Sequence, residues 1–193
     1  MVLTRSSVLA ASVVLSLSCA SARPTAEPQV PNAPLVGPNG HSVGVRGLSE
    51  LAPLTVLVFF SPDCDCLRAH EARLRTLAGA YAARGVQVFM VDSETRASRA
   101  KDAAEGKRRG YPFPILIDHG ARVADAVGAE YASYAVVLDS SGRIRYRGGM
   151  DSDKLRLHDD ATPYLRNALD DLLAGKEPRT PEGKALGCAL QRW

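Results

Sequence analysis

"TVLVFFSPDCDCLRAH", residues 55–70, is the stretch on which the fold turns. Thr55 to Phe60 is a continuous apolar run, as expected of a strand buried on both faces. Ser61 and Pro62 interrupt it. From Cys66 to about Arg84 the period becomes helical, with Leu67, Leu74, Leu77 and Tyr81 along one side. Two cysteines separated by one residue, Cys64-Asp65-Cys66, sit where strand hands over to helix.

That junction suits thiol chemistry. A helix N-terminus carries unpaired N–H groups and a positive dipole end, and both favour the reactive thiolate. Ser61 is a candidate cap with Pro62 in the first helical position, and Asp63 is another. Either places Cys64 in the first turn. Asp63 and Asp65 oppose a further anion, whereas Arg68 and His70 favour one. The expectation is a moderately activated Cys64. A bond between residues i and i+2 closes a small, strained ring, and strained disulfides are the labile ones. Cys64 and Cys66 therefore suit exchange better than stapling, with Cys188 as an alternative partner. A second reading takes Cys64, Cys66 and His70 as ligands for Cu(I) or Zn(II).

Outward from the junction, the chain alternates strand and helix. "VQVFMVDS" reads as a second buried strand, and residues 95–109 as an exposed helix. "FPILID" reads as a short strand and "GARVADAVGA" as a helix ended by glycine. "YAVVLD" is a further buried strand. "SSGR" turns it into "IRYRG", whose alternation marks a half-exposed antiparallel strand. Thr162 to Ala174 is a final amphipathic helix capped by Gly175. On the N-terminal side, Pro38-Asn39-Gly40 predicts a small hairpin. The result is an α/β domain over residues 35–175 with a central mixed sheet flanked by helices. Residues 176–193 form a C-terminal tail carrying Cys188.

Residues 1–22 read as an export signal: Arg5 supplies the charge, Val8 to Leu17 the apolar run, and Ala20-Ser21-Ala22 a cleavage site. Cys19 offers the alternative of lipoprotein processing, with a lipid on Cys19 as the sole attachment to a membrane. Residues 23–34, rich in proline, read as an extended linker. Export to the periplasm, free or lipid-anchored, places the cysteines where disulfides persist. Loss or lipidation of Cys19 leaves three thiols, an odd number that a purely structural framework does not use up. The net charge of +3, without a dense Lys/Arg block, gives no sign of nucleic-acid binding.

These residues resemble the thioredoxin-like redoxins, the family of the alkyl-hydroperoxide-reductase and thiol-specific-antioxidant proteins and the exported thioredoxins. "GPNGHSVGVRGLSEL" is similar to their N-terminal hairpin and helix, and "TVLVFFSPDCDC" to the strand leading to their active cysteine. "YPFPILIDHGARVADAVGAEYASYAVVLDSSGRIRYRG" is similar to their second half. The resemblance implies a thioredoxin-like fold with Cys64 as nucleophile. The second thioredoxin cysteine falls on Leu67, with Cys66 one place early. Ser61 stands in for the peroxidase threonine, and Leu57 occupies the proline position. The thioredoxin cis-proline and the peroxidase arginine both fall on Ser133.

The remaining constellations read more plainly. Arg143, Arg145 and Arg147 are a solvated strand edge. Asp151, Asp153 and His158-Asp159-Asp160 are a polar loop before the last helix. His41 and His119 are surface residues. The expected activity is extracytoplasmic thiol–disulfide exchange, with Cys64 attacking and Cys66 or Cys188 resolving. A thiol peroxidase, a copper or zinc carrier and a disulfide-stapled binding module are the alternatives. No cofactor is required, but a disulfide or peroxide substrate and a thiol electron donor are.

Overall fold

The computed structural model describes residues 29–192. The export signal, Cys19 and the first part of the linker lie outside them. Seven strands form one sheet in the order β2-β1-β5-β4-β3-β6-β7. The hairpin comes first: β1 (Pro34–Val36) and β2 (Ser42–Gly44) are antiparallel, and Gly40 takes the positive φ of +84° that the turn needs.

β3 (Leu54–Phe60) is the central strand, and all seven of its residues are buried. It runs parallel to β4 (Val86–Asp92), with helix α2 (Asp65–Ala82) as the crossover. Helix α3 (Arg99–Arg108) leads to β5 (Ile115–Ile117), which is parallel to β4. The helix expected over 95–109 starts four residues late, and its Asp102 is buried. A short helix α4 (Arg122–Val127) ends on Gly128 at φ +72°. β6 (Ala135–Asp139) then returns antiparallel on the other side of β3, and β7 (Ile144–Gly148) closes that edge. Helix α5 (Tyr164–Leu173) buries Leu165, Ala168 and Leu169. It is tied to α2 where the Tyr81 hydroxyl donates to Asp170 at 2.8 Å. The remaining helix, α1 (Val45–Ser49), follows the hairpin.

One segment differs from the sequence reading. The end of the linker packs as part of the domain. Val30 is fully buried, and its N–H donates to the Gly142 carbonyl at 3.3 Å. The tail is also docked along its length. Arg179 pairs with Asp171, and the Gly183 N–H donates to the Arg147 carbonyl. The Arg147 guanidinium pairs with Glu182. The edge of β7 is therefore covered by the chain's own C-terminus rather than only solvated.

Candidate active site

β3 ends at Phe60, and the next four residues carry the chain into α2. Cys64 itself is the N-cap: its Sγ accepts from the Leu67 N–H at 3.3 Å. This corrects the expectation that Ser61 or Asp63 caps the helix. Ser61 is buried, and its carbonyl accepts from the Cys64 N–H. Asp63 and Asp65 point to solvent, and Asp65 pairs with Arg68 at 3.7 Å.

The tail completes the site. Residues 186–190 run antiparallel to residues 130–133, with a bridge between Tyr131 and Ala189. The Leu190 N–H donates to the Glu130 carbonyl at 2.9 Å. The Ser133 hydroxyl donates to the Leu186 carbonyl at 3.0 Å. Ser133 has φ +71°, and its N–H donates to the Phe59 carbonyl, so its backbone abuts the end of β3. No peptide bond is cis among the described residues. A Cβ on Gly187 would overlap the Ala132 carbonyl oxygen, so glycine is what permits the close approach just before Cys188.

The outcome is a cluster of three thiols. The sulfurs of Cys64, Cys66 and Cys188 all lie within 4.8 Å of one another. All three are unbridged; Cys64 and Cys66 are buried and Cys188 is partly exposed. Burial, and then a hydrogen bond with Cys188, pushes the Cys64 thiol up to about 12. Burial and the neighbouring Cys188 also push Cys66 up, against a smaller opposing pull from Lys154. The expected moderate activation of Cys64 is thus corrected for this arrangement: the helix N-terminus favours a thiolate, but desolvation wins.

His70 does not join the sulfurs. Its Nδ1 is 2.7 Å from the Cys66 carbonyl and its Nε2 is 3.0 Å from Asp151. With both ring nitrogens engaged, it is not a ligand beside Cys64 and Cys66. Asp151 also accepts from Arg73 at 2.8 Å, as does Asp153, which pairs with His158. Of the expected polar loop, Asp151 and Asp153 are buried and, through Arg73 and His70, clamp the segment to α2, while His158, Asp159 and Asp160 are exposed as expected. Burial works against a charged His70, but the bonds to Asp151 and the Cys66 carbonyl outweigh it and raise its pKa.

A second network, absent from the sequence reading, backs the 61–64 turn. Arg109 donates to the Pro62 carbonyl at 2.6 Å and pairs with Glu71 at 2.7 Å. Tyr111 donates to the same Glu71 at 2.8 Å. The signal lay in α2: Glu71 falls at the spacing of Leu67 and Leu74, on the apolar stripe.

A Redoxin family model matches residues 26–161. The chain belongs to the redoxin family. No curated protein matches this redoxin. A hypothetical protein from Sinorhizobium meliloti is similar to it in structure, with 26% identity and a TM-score of 0.76 over 88% of this chain and 96% of that one. An uncharacterized conserved protein from Geobacillus kaustophilus has 26% identity and a TM-score of 0.75, over 86% and 91% of the two chains. A putative protein disulfide isomerase from Bacteroides thetaiotaomicron shares the fold, with 15% identity and a TM-score of 0.53 over 76% and 84%. The thioredoxin-like fold read from the sequence is the fold observed.

Proposed function

We propose that this redoxin is a thiol–disulfide oxidoreductase. The observation that carries the reading is the meeting of three thiols at one strand–helix junction. In the reduced protein the Cys64 thiolate attacks one sulfur of a substrate disulfide. A mixed disulfide forms, and the first substrate sulfur leaves as a thiolate and takes a proton. Cys66 or Cys188, both within reach, then attacks the Cys64 sulfur. The second substrate thiol leaves, and the protein keeps a disulfide and has given up two electrons. An external thiol donor restores the dithiol.

The tail gates the first step. With Cys188 in place, Cys64 is buried and its thiol held protonated. Attack requires residues 186–190 to lift, and return of the tail brings Cys188 to the mixed disulfide. The nearby polar groups favour exchange over peroxide reduction: Arg109 is committed to Glu71, Glu105 and Pro62, and the Ser133 hydroxyl to Leu186. An exported location, free or anchored through Cys19, fits Arg5, the apolar run and the "SCASA" segment.

The test is trapping. In a Cys19→Ser background, Cys66→Ser with Cys188→Ser should accumulate a mixed disulfide between Cys64 and a model protein disulfide. Each single variant then shows which thiol resolves. Turnover that survives Cys64→Ser removes this assignment.

A further inference from the structure

We infer that Cys64, Cys66 and Cys188 together form a binding site for one thiophilic monovalent ion of the Cu(I) class, closed by the C-terminal tail. The three sulfurs lie within 4.8 Å of one another. Three thiolates around one ion at metal–sulfur bonds of about 2.3 Å stand about 4 Å apart, so only small movements are needed to close the site. The donor set is all sulfur, which selects soft ions. His70, the nitrogen donor next in line on α2, spends both ring nitrogens on Asp151 and the Cys66 carbonyl. Structural Zn(II) asks for four ligands in a tetrahedron, whereas Cu(I) is content with three.

The ligands stand on fixed elements. Cys64 caps α2, and Cys66 lies in its first turn. Cys188 is held by its own backbone, through the Ala132 N–H, and by Leu186 on Ser133. Burial that disfavours bare thiolates favours a cation among them. Each thiol that binds gives its proton to solvent, so uptake is coupled to proton release. The site exists only in the reduced protein, because a disulfide between any two of the thiols removes two ligands. It goes beyond disulfide exchange and stands whether or not exchange is catalysed.

The experiment uses the reduced full chain carrying Cys19→Ser, titrated without oxygen with Cu(I) presented as its bicinchoninate complex. One equivalent should be withdrawn from the chelator. Cys188→Ser, folded by circular dichroism, should weaken binding at least about 100-fold, since even outer-shell losses cost 10–100-fold. His70→Gln should leave the affinity unchanged. X-ray absorption at the copper edge of the unsubstituted site should show three sulfur neighbours and no nitrogen, a readout that needs no variant to fold. Failure to withdraw Cu(I), an affinity indifferent to Cys188→Ser, a two-sulfur or mixed shell, or preference for Zn(II) would each overturn the assignment.

Discussion

The Ala132 N–H donates to the Cys188 carbonyl across 2.9 Å. Through this bond the tail adds a short strand beside residues 130–133, and its sulfur arrives next to Cys64. Backbone bonding of this kind is independent of side-chain identity. An extended segment of another protein offers the same groups, so under the proposed function such a segment would take the place of the tail. Lifting it frees the Ala132 donor and the Cys64 thiol together.

Gly187 is the weak point of that docking. Valine there collides with the Ala132 carbonyl oxygen and with Tyr131. The tail should leave its groove while the core, built from α2, α5 and the sheet, stays folded. Alkylation of Cys64 at a pH below its pKa should then speed up, by roughly threefold for each unit of pKa it recovers once the lower nucleophilicity of the thiolate is set against its larger population. Rate-resolved labelling with peptide mapping measures this; an unchanged Cys64 rate in Gly187→Val means the tail does not gate the site.

Asp92 gives the pH prediction. Burial pushes its carboxyl up to about 7, its bond from the Glu94 N–H opposes this, and the nearby Asp102 adds to it. Folding therefore favours the neutral form. That contribution is complete below the ordinary value of 3.8 and is lost as pH rises through about 7. Asp92→Asn keeps an acceptor for Glu94 and offers Asp102 a donor. It should stabilise the protein by a few kcal/mol at and above neutral pH and by little in acid. Chemical denaturation at both ends of that range checks it, and parallel curves for the two proteins would sink it.

How much of this was legible is best seen in α2. Leu67, Leu74, Leu77 and Tyr81 marked the buried side correctly. His70 and Glu71 lie on the same stripe by spacing, and that was the available sign of two buried polar networks. Their partners could not be read. Asp151 is 81 residues from His70, and Arg109 is 38 from Glu71. No local pattern links such pairs. The tail is a similar case. "ALGCAL" shows apolar character fit for docking, and the count of thiols asked for a partner near Cys64. The groove at 130–133 is made by backbone groups, which sequence does not distinguish. The cap was misread because serine and aspartate outrank cysteine as caps, whereas here packing placed the Cys64 sulfur over the Leu67 N–H.

The His70–Asp151 bond makes a prediction by reversal. Burial lowers the pKa of His70, and the bonds to Asp151 and Cys66 more than offset it, so the wild-type imidazole should titrate above 6.5. Asp151→Asn removes the charge and leaves burial in place. His70 should then titrate below 6.5. The raised value favours the folded state below pH 6.5 and that contribution fades as pH rises through the folded pKa, so the variant should also lose the acid-side stabilisation. Proton NMR of the imidazole reports the pKa, and chemical denaturation across the acid range reports the stability; a His70 value that stays above 6.5 in Asp151→Asn assigns the shift to something other than Asp151.

The last prediction separates the two causes of the Cys64 shift. Its thiol is pushed from an ordinary 9.0 to about 12, by burial first and by the Cys188 thiol second. Cys188→Ala removes the hydrogen bond and the neighbouring charge but leaves the tail backbone over the site, because Ala132 bonds the main chain and not the sulfur. If burial dominates, Cys64 in Cys188→Ala should recover only part of the difference, and Gly187→Val, which moves the whole strand, should recover more. The same order should appear in stability. A neutral Cys64 favours folding fully below pH 9.0, and that contribution is lost as pH rises through about 12. The alkaline loss should therefore be steepest in the wild type, shallower in Cys188→Ala and least in Gly187→Val. Iodoacetamide rates at Cys64 as a function of pH, in a Cys19→Ser background, give the three values directly. If Cys188→Ala alone returns Cys64 to the ordinary thiol range, the hydrogen bond and not burial keeps this site silent.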